Sequence, residues 1–180
     1  MTTRQEPHLA QKTSQSWTSS VWNFGDPIWP APTEAELPLL LGGTLRLRGY
    51  ADHMMLAEKI VTAIDRGDQN PRWRDFVDIA SIAATRRIRA DDLRTAITTV
   101  ASYRQIELRP LGELLARMPG VAQQKWAVWR RRQRMEETTP EQFGDLLRAC
   151  AAFADPTLEH APDGVWDPVA QEWTPTGSEQ

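Results

Sequence analysis

The chain holds a single cysteine, Cys150, among 180 residues. One thiol cannot form an internal disulfide, so the fold must rest on packing. The three histidines, His8, His53 and His160, are scattered with no partner at metal-ligand spacing, which argues against a zinc site. Long apolar runs are missing as well. The stretch 37–41 is interrupted by Pro38 and falls far short of the roughly 20 residues a membrane helix requires. No basic stretch leading into an apolar run of signal-peptide length opens the chain, and we expect a cytoplasmic protein with no membrane contact. An excess of positive charge is also lacking. With a net charge of −3, the balance as a whole gives no argument for nucleic acid, and only a local basic patch could supply one. There is no Ser, His and Asp arrangement that suggests a hydrolytic triad, and no repeat at a fixed period.

What is present suffices for one packed domain: 41% of the residues are hydrophobic. Residues 1–19 are rich in Thr, Ser and Gln with almost no aliphatic side chains, which predicts a disordered arm. Residues 21–32 read as a short strand running into Gly25 and a proline-rich loop. Leu45 and Leu47 alternate with Arg46 and Arg48 before Gly49, the two-residue period of a strand.

After Tyr50 the period becomes that of a helix. Ala57, Ile60, Val61 and Ile64 predict a first helix over 52–66, closed by Gly67. Asn70 and Pro71 read as the cap and first position of a second, with Phe76, Ile79, Ala80 and Ala83 as its buried stripe. Leu93, Ala96, Ile97, Val100 and Tyr103 define a third. Residues 111–118 suggest a short fourth, and 121–135 a fifth that is apolar on one side and basic on the other. Thr139, Pro140 and Gln142 form a capping box that opens a sixth, carrying Phe143, Leu146, Leu147 and Cys150. The expected fold class is α+β: a remnant of a small sheet at about 20–48, then a bundle of about six helices. The domain is expected over 20–156, with 157–180 as a flexible tail containing Trp166 and Trp173.

Two constellations carry potential chemistry. In the first, Lys59 lies on the first helix, and Arg72, Arg74, Asp75 and Asp78 fall at or near the start of the second. Asp75 and Asp78 are three apart and share one side of a helix. A lysine facing two carboxylates can hold a phosphate chain as a point charge and leave a carboxylate to accept a hydroxyl proton. The same residues also fit a solvated charge network decorating a helix. In the second, Lys125, Arg130, Arg131, Arg132 and Arg134 are interleaved with Trp126 and Trp129 and uninterrupted by acids. Guanidinium forks bind phosphates and indoles stack on bases, so these residues are candidates for gripping RNA. Tryptophans at this spacing equally fit a helix face turned into the core.

The run Leu-Ala-Glu-Lys-Ile-Val-Thr-Ala-Ile-Asp-Arg-Gly at 56–67, followed by Arg-Trp-Arg-Asp-Phe-Val-Asp at 72–78, resembles the paired downstream motifs of the AbiEii/AbiGii nucleotidyltransferase toxins, in the manner of their actinobacterial MenT-like branch. The likeness continues through 25–28, 107–111, 125–130 and 153–156. It implies transfer of a nucleoside monophosphate from an NTP to RNA, with tRNA one possible acceptor. It also implies a cognate antitoxin and dependence on Mg²⁺ in the complete family fold. By this resemblance Lys59 contacts the nucleotide phosphates, Asp75 is the base, and Asp78 and Arg72 support it.

The family is similar to polymerase-β-like enzymes in opening with a Gly-Ser turn and paired metal-binding carboxylates. Here the only Gly-Ser is Gly177-Ser178, with no aspartate after it. The Gly42-Gly43-Thr44 run is a superficial match, because too few residues separate Asp52 from Lys59 to hold the intervening strands. Val21-Trp22-Asn23 stands where a later strand carboxylate is expected. We therefore expect no metal site and a chain matching only the family's downstream part. That leaves a truncated or remodelled toxin inactive alone, a chain completed by a separate N-terminal half, or a non-catalytic module that binds RNA or an antitoxin.

Overall fold

The computed structural model describes residues 33–38, 44–49, 51–159 and 163–175. The predicted arm over 1–19, the strand within 21–32, His8, His160 and Gly177-Ser178 lie outside them. Strands β1 (Thr33–Pro38) and β2 (Thr44–Gly49) pair antiparallel, with Thr33 opposite Gly49 and Leu37 opposite Leu45. Six α-helices follow among the described residues: α1 (Asp52–Arg66), α2 (Trp73–Thr85), α3 (Ala90–Arg104), α4 (Leu111–Leu114), α5 (Met118–Gln133) and α6 (Phe143–Glu159). A short antiparallel hairpin, β3 (Val165–Asp167) and β4 (Glu172–Thr174), comes last. The fold is α+β and mostly helical.

α1 packs chiefly on α3, and α2 on α6. The reason is visible in the apolar periodicity. Leu56, Ala57, Ile60 and Val61 of α1, Phe76 and Ile79 of α2, Leu93, Ala96 and Val100 of α3, and Phe143, Cys150 and Phe153 of α6 are all fully excluded from solvent. Burying each of the larger side chains favours folding by about 1.5–3 kcal/mol. Tyr103, expected on the α3 stripe, is instead 56% exposed. Gly67 closes α1 at φ 55°, its N–H donating to the Ala63 carbonyl, as the sequence predicts.

Two helix starts differ from expectation, each for its own reason. The Asn70 carboxamide oxygen accepts the Arg72 N–H at 2.9 Å, so the chain turns through Pro71 and α2 begins only at Trp73. Thr139 does not cap α6. Its hydroxyl accepts from Arg130 Nε at 2.9 Å, and the Phe143 N–H finds Gln123 Oε1 at 2.8 Å instead.

Beyond Pro156, where a flexible tail was expected, α6 continues to Glu159 and the later hairpin packs onto the helices. Trp166 is buried, its indole N–H donating to the Ala83 carbonyl at 2.7 Å, and Trp173 donates to the Phe153 carbonyl at 3.0 Å. The hairpin is seated on the helices through Trp166 and Ile88 (N–H to carbonyl, 2.8 Å) and Ala90 and Gly164 (3.0 Å). Gly164 is required there, since an added Cβ would lie 2.0 Å from the Thr174 carbonyl oxygen.

Candidate functional site

Lys59 projects from the face of α1 beside the buried Ile60, toward the first turns of α2. Its ammonium donates to Asp75 Oδ1 and to Asp78 Oδ2, each at 2.8 Å. The two carboxylates reach one cation because they sit three residues apart on α2. Arg74 Nε donates to the other oxygen of Asp78 at 3.1 Å and its guanidinium touches Met135 Sδ at 3.6 Å. Burial works against the ammonium, but the hydrogen bonds and charges of Asp75 and Asp78 outweigh it, so Lys59 is held above its ordinary value.

A cleft of about 530 Å³ opens on one side of this cluster. Lys59, Arg66, Arg72 and Arg104 line it against Glu58, Asp65 and Asp75. Asp75 faces the cleft, whereas neither Asp78 nor Arg74 lines it. Arg74 thus sits with Asp78 at the back of the cluster. Arg66 and Arg72 have no ion-pair partner among the described residues, so their guanidiniums are available to an anion. Thr62 ties the wall together, donating to the Glu58 carbonyl at 2.6 Å and accepting from Arg104 at 2.9 Å.

Sequence reasoning missed Thr62, Arg66 and Arg104. The first two carry a usable signal, since residues 59, 62 and 66 follow the i, i+3, i+7 period of one helix face. Arg104 comes from α3, forty-odd residues away in the chain, and nothing local announces it.

The two carboxylates that converge here, Asp75 and Asp78, offer Mg²⁺ no open point of their own. Among the described residues no group of three or more carboxylates, imidazoles or thiols could hold a metal ion. The Lys59 ammonium already occupies the point toward which both aspartates converge. Cys150 is no nucleophile either: burial pushes its thiol up to about 12, and it donates to the Phe76 carbonyl at 3.3 Å.

The basic helix divides along its period. Trp126 and Arg130, four apart, both turn inward. Trp126 is fully buried, its N–H donating to the Pro140 carbonyl at 3.1 Å. Arg130 is 7% exposed and spends its donors on Thr139 Oγ1, the Thr139 carbonyl and the Glu136 carbonyl. Neither is accessible to RNA, which corrects the sequence expectation for this pair: a buried indole cannot stack on a base, and a guanidinium whose forks are filled cannot clamp a phosphate. Lys125, Arg131, Arg132 and Arg134 are exposed.

Comparison with known proteins adds one finding. A family model described as nucleotidyl transferase AbiEii toxin, type IV TA system, matches residues 22–159. No curated protein and no solved structure matches the chain.

Proposed function

The chain belongs to the AbiEii nucleotidyl transferase toxin family of type IV toxin–antitoxin systems, and from that premise we propose that the α1–α2 cleft receives a nucleoside triphosphate and the hydroxyl of an RNA acceptor. An antitoxin counterpart follows from the type of system. The observation that carries the reading is Lys59 held by Asp75 and Asp78 at the edge of a cleft that also presents Arg66 and Arg72, neither of them ion-paired among the described residues.

In this reading Lys59, Arg66 and Arg72 spread positive charge along the phosphates, which is where phosphoryl-transfer enzymes gain most of their rate. Asp75 is the base, because it faces the cleft and Asp78 does not. The acceptor hydroxyl oxygen bonds to the α-phosphorus as the bond to the pyrophosphate oxygen breaks. The hydroxyl proton passes to Asp75, and pyrophosphate leaves. Asp78, anchored by Arg74, keeps Lys59 in place when the incoming phosphates draw its charge away from Asp75. The Mg²⁺ that the family implies has no donor set among these residues, and no step here runs through it.

That misfit favours a second reading, a non-catalytic module that binds RNA or an antitoxin. Thermal unfolding with ATP, CTP, GTP and UTP tests the first. A nucleotide at 100 times its dissociation constant adds about 2.7 kcal/mol, so the cognate one raises the midpoint of the native chain and leaves that of Lys59→Ala unmoved. No shift with any of the four sinks the nucleotide site. Labelling of total tRNA by the isolated chain, given NTP and Mg²⁺, sinks the non-catalytic module.

A further inference from the structure

The outward face of α5 carries Lys125, Val128, Trp129 and Arg132, at i, i+3, i+4 and i+7. Together with Pro71 and Trp73 from the start of α2, these side chains line a groove of about 480 Å³. Its floor is aromatic and rigid. Trp129 is stacked on buried Trp126 at 5.3 Å and 17°, and Trp73 tilts against both rings at 6.1 and 6.2 Å. Its rim is cationic: no carboxylate lines it, and neither Lys125 nor Arg132 has an ion-pair partner among the described residues. Val128, 61% exposed, adds an apolar side chain at the lip.

We propose that this groove is a base-stacking subsite for unpaired RNA, in which Trp129, backed by the buried rings of Trp73 and Trp126, receives a nucleobase and Lys125 and Arg132 hold the phosphates on either side of it. The two cations are seven residues apart, about 10 Å along the helix axis, leaving a base-sized gap between them. Charge complementarity favours a polyanion, and the flat aromatic floor favours one with π faces, which an acidic peptide lacks. The position also fits. Arg72 lines the nucleotide cleft while its neighbours Pro71 and Trp73 line the groove, so a strand whose terminal hydroxyl meets Asp75 passes its preceding bases toward Trp129. The inference rests on the RNA-acceptor reading above and deepens it.

The test is fluorescence anisotropy of a short labelled single-stranded RNA and of its duplex with the full chain, without nucleotide, over a range of salt. Lys125→Gln with Arg132→Gln is expected to weaken single-strand binding about tenfold and to reduce the salt slope by roughly 1.4, the value for two lost phosphate contacts. Val128→Asp, at a 61% exposed position of the groove, is expected to weaken it about tenfold. Val121→Asp, 72% exposed on the same helix but outside the groove, controls for added charge and is expected to change nothing. Unchanged affinity in both groove variants overturns the proposal. So does an equal loss in Val121→Asp, duplex binding as tight as single-strand binding, or displacement of the RNA by polyglutamate at equal affinity. The nucleotide-induced thermal shift, measured on the same samples, separates the two readings. A shift with no groove dependence sinks the groove alone, and groove dependence with no shift sinks the transferase reading alone.

Discussion

Lys59 and Cys150 are both held protonated by the fold, one by its partners and the other by its burial, and their signatures fall in different pH windows. Burial lifts the Cys150 thiol from 9.0 to about 12. Above pH 9 the unfolded chain releases that proton while the native one keeps it, so stability falls as pH rises from 9 toward 12. Lys59 is raised from 10.5 because Asp75 and Asp78 overcome its desolvation. Its contribution is complete below 10.5 and is lost only as pH climbs through the higher native value. Urea midpoints against pH should therefore separate them. Cys150→Ala flattens the decline that begins at pH 9, whereas Lys59→Met leaves that part unchanged and flattens only the fall beyond 10.5. Parallel curves for the native chain and Cys150→Ala between those two values would contradict the burial argument.

At the scale of elements, the connection from α5 to α6 is organised by one buried guanidinium. Arg130 donates to Thr139 Oγ1 and to the carbonyls of Glu136 and Thr139, and lies 6.0 Å above the Trp126 ring. Arg130→Met would strand two carbonyls without a partner, and we expect a loss of about 2–3 kcal/mol in urea unfolding. Arg131→Met, one residue on and exposed, is expected to change stability by less than about 0.5 kcal/mol. Equal effects would mean that Arg130 is as solvated as its neighbour. The same element shows where sequence reading stops. α1 was legible to its last residue because its apolar period and terminal glycine are local signals. The start of α6 was not, because Thr139 is claimed by Arg130 and the helix end is satisfied by Gln123, both contacts fixed only by the fold. In the site, the shared face of Asp75 and Asp78 was legible from helix spacing, and Lys59 from the motif it stands in. Arg104 was not, since its place at the cleft depends on α3 packing on α1. The likeness at 107–111 and 153–156 acquires a physical meaning here as well. Asp155 accepts the Leu111 and Gly112 N–H groups at 2.7 and 3.0 Å, so the two segments are one capping interaction read in two places.

For the molecule as a whole, the family match stops at residue 159, yet the structure places two indoles from later residues on the helices. Trp166 lies edge-on to Phe153 at 5.0 Å, and Trp173 stacks on the same ring at 5.6 Å and 22°. A fully buried indole removes about 150–250 Å² from water, worth roughly 4–6 kcal/mol at about 25 cal/mol per Å². That figure is an upper bound for Trp166, and Trp173, partly buried, adds less. Against a total stability of about 5–15 kcal/mol for a domain of this kind, the hairpin is a structural part of the fold. A chain ending at residue 159 would expose Phe153 and leave the Ala83 carbonyl, at the end of α2, without its indole donor. We expect that shortened chain to lose its cooperative urea transition, or to keep one with a midpoint lowered by about half. An unchanged midpoint would instead confine the structural domain to the span matched by the family and make the hairpin an appendage.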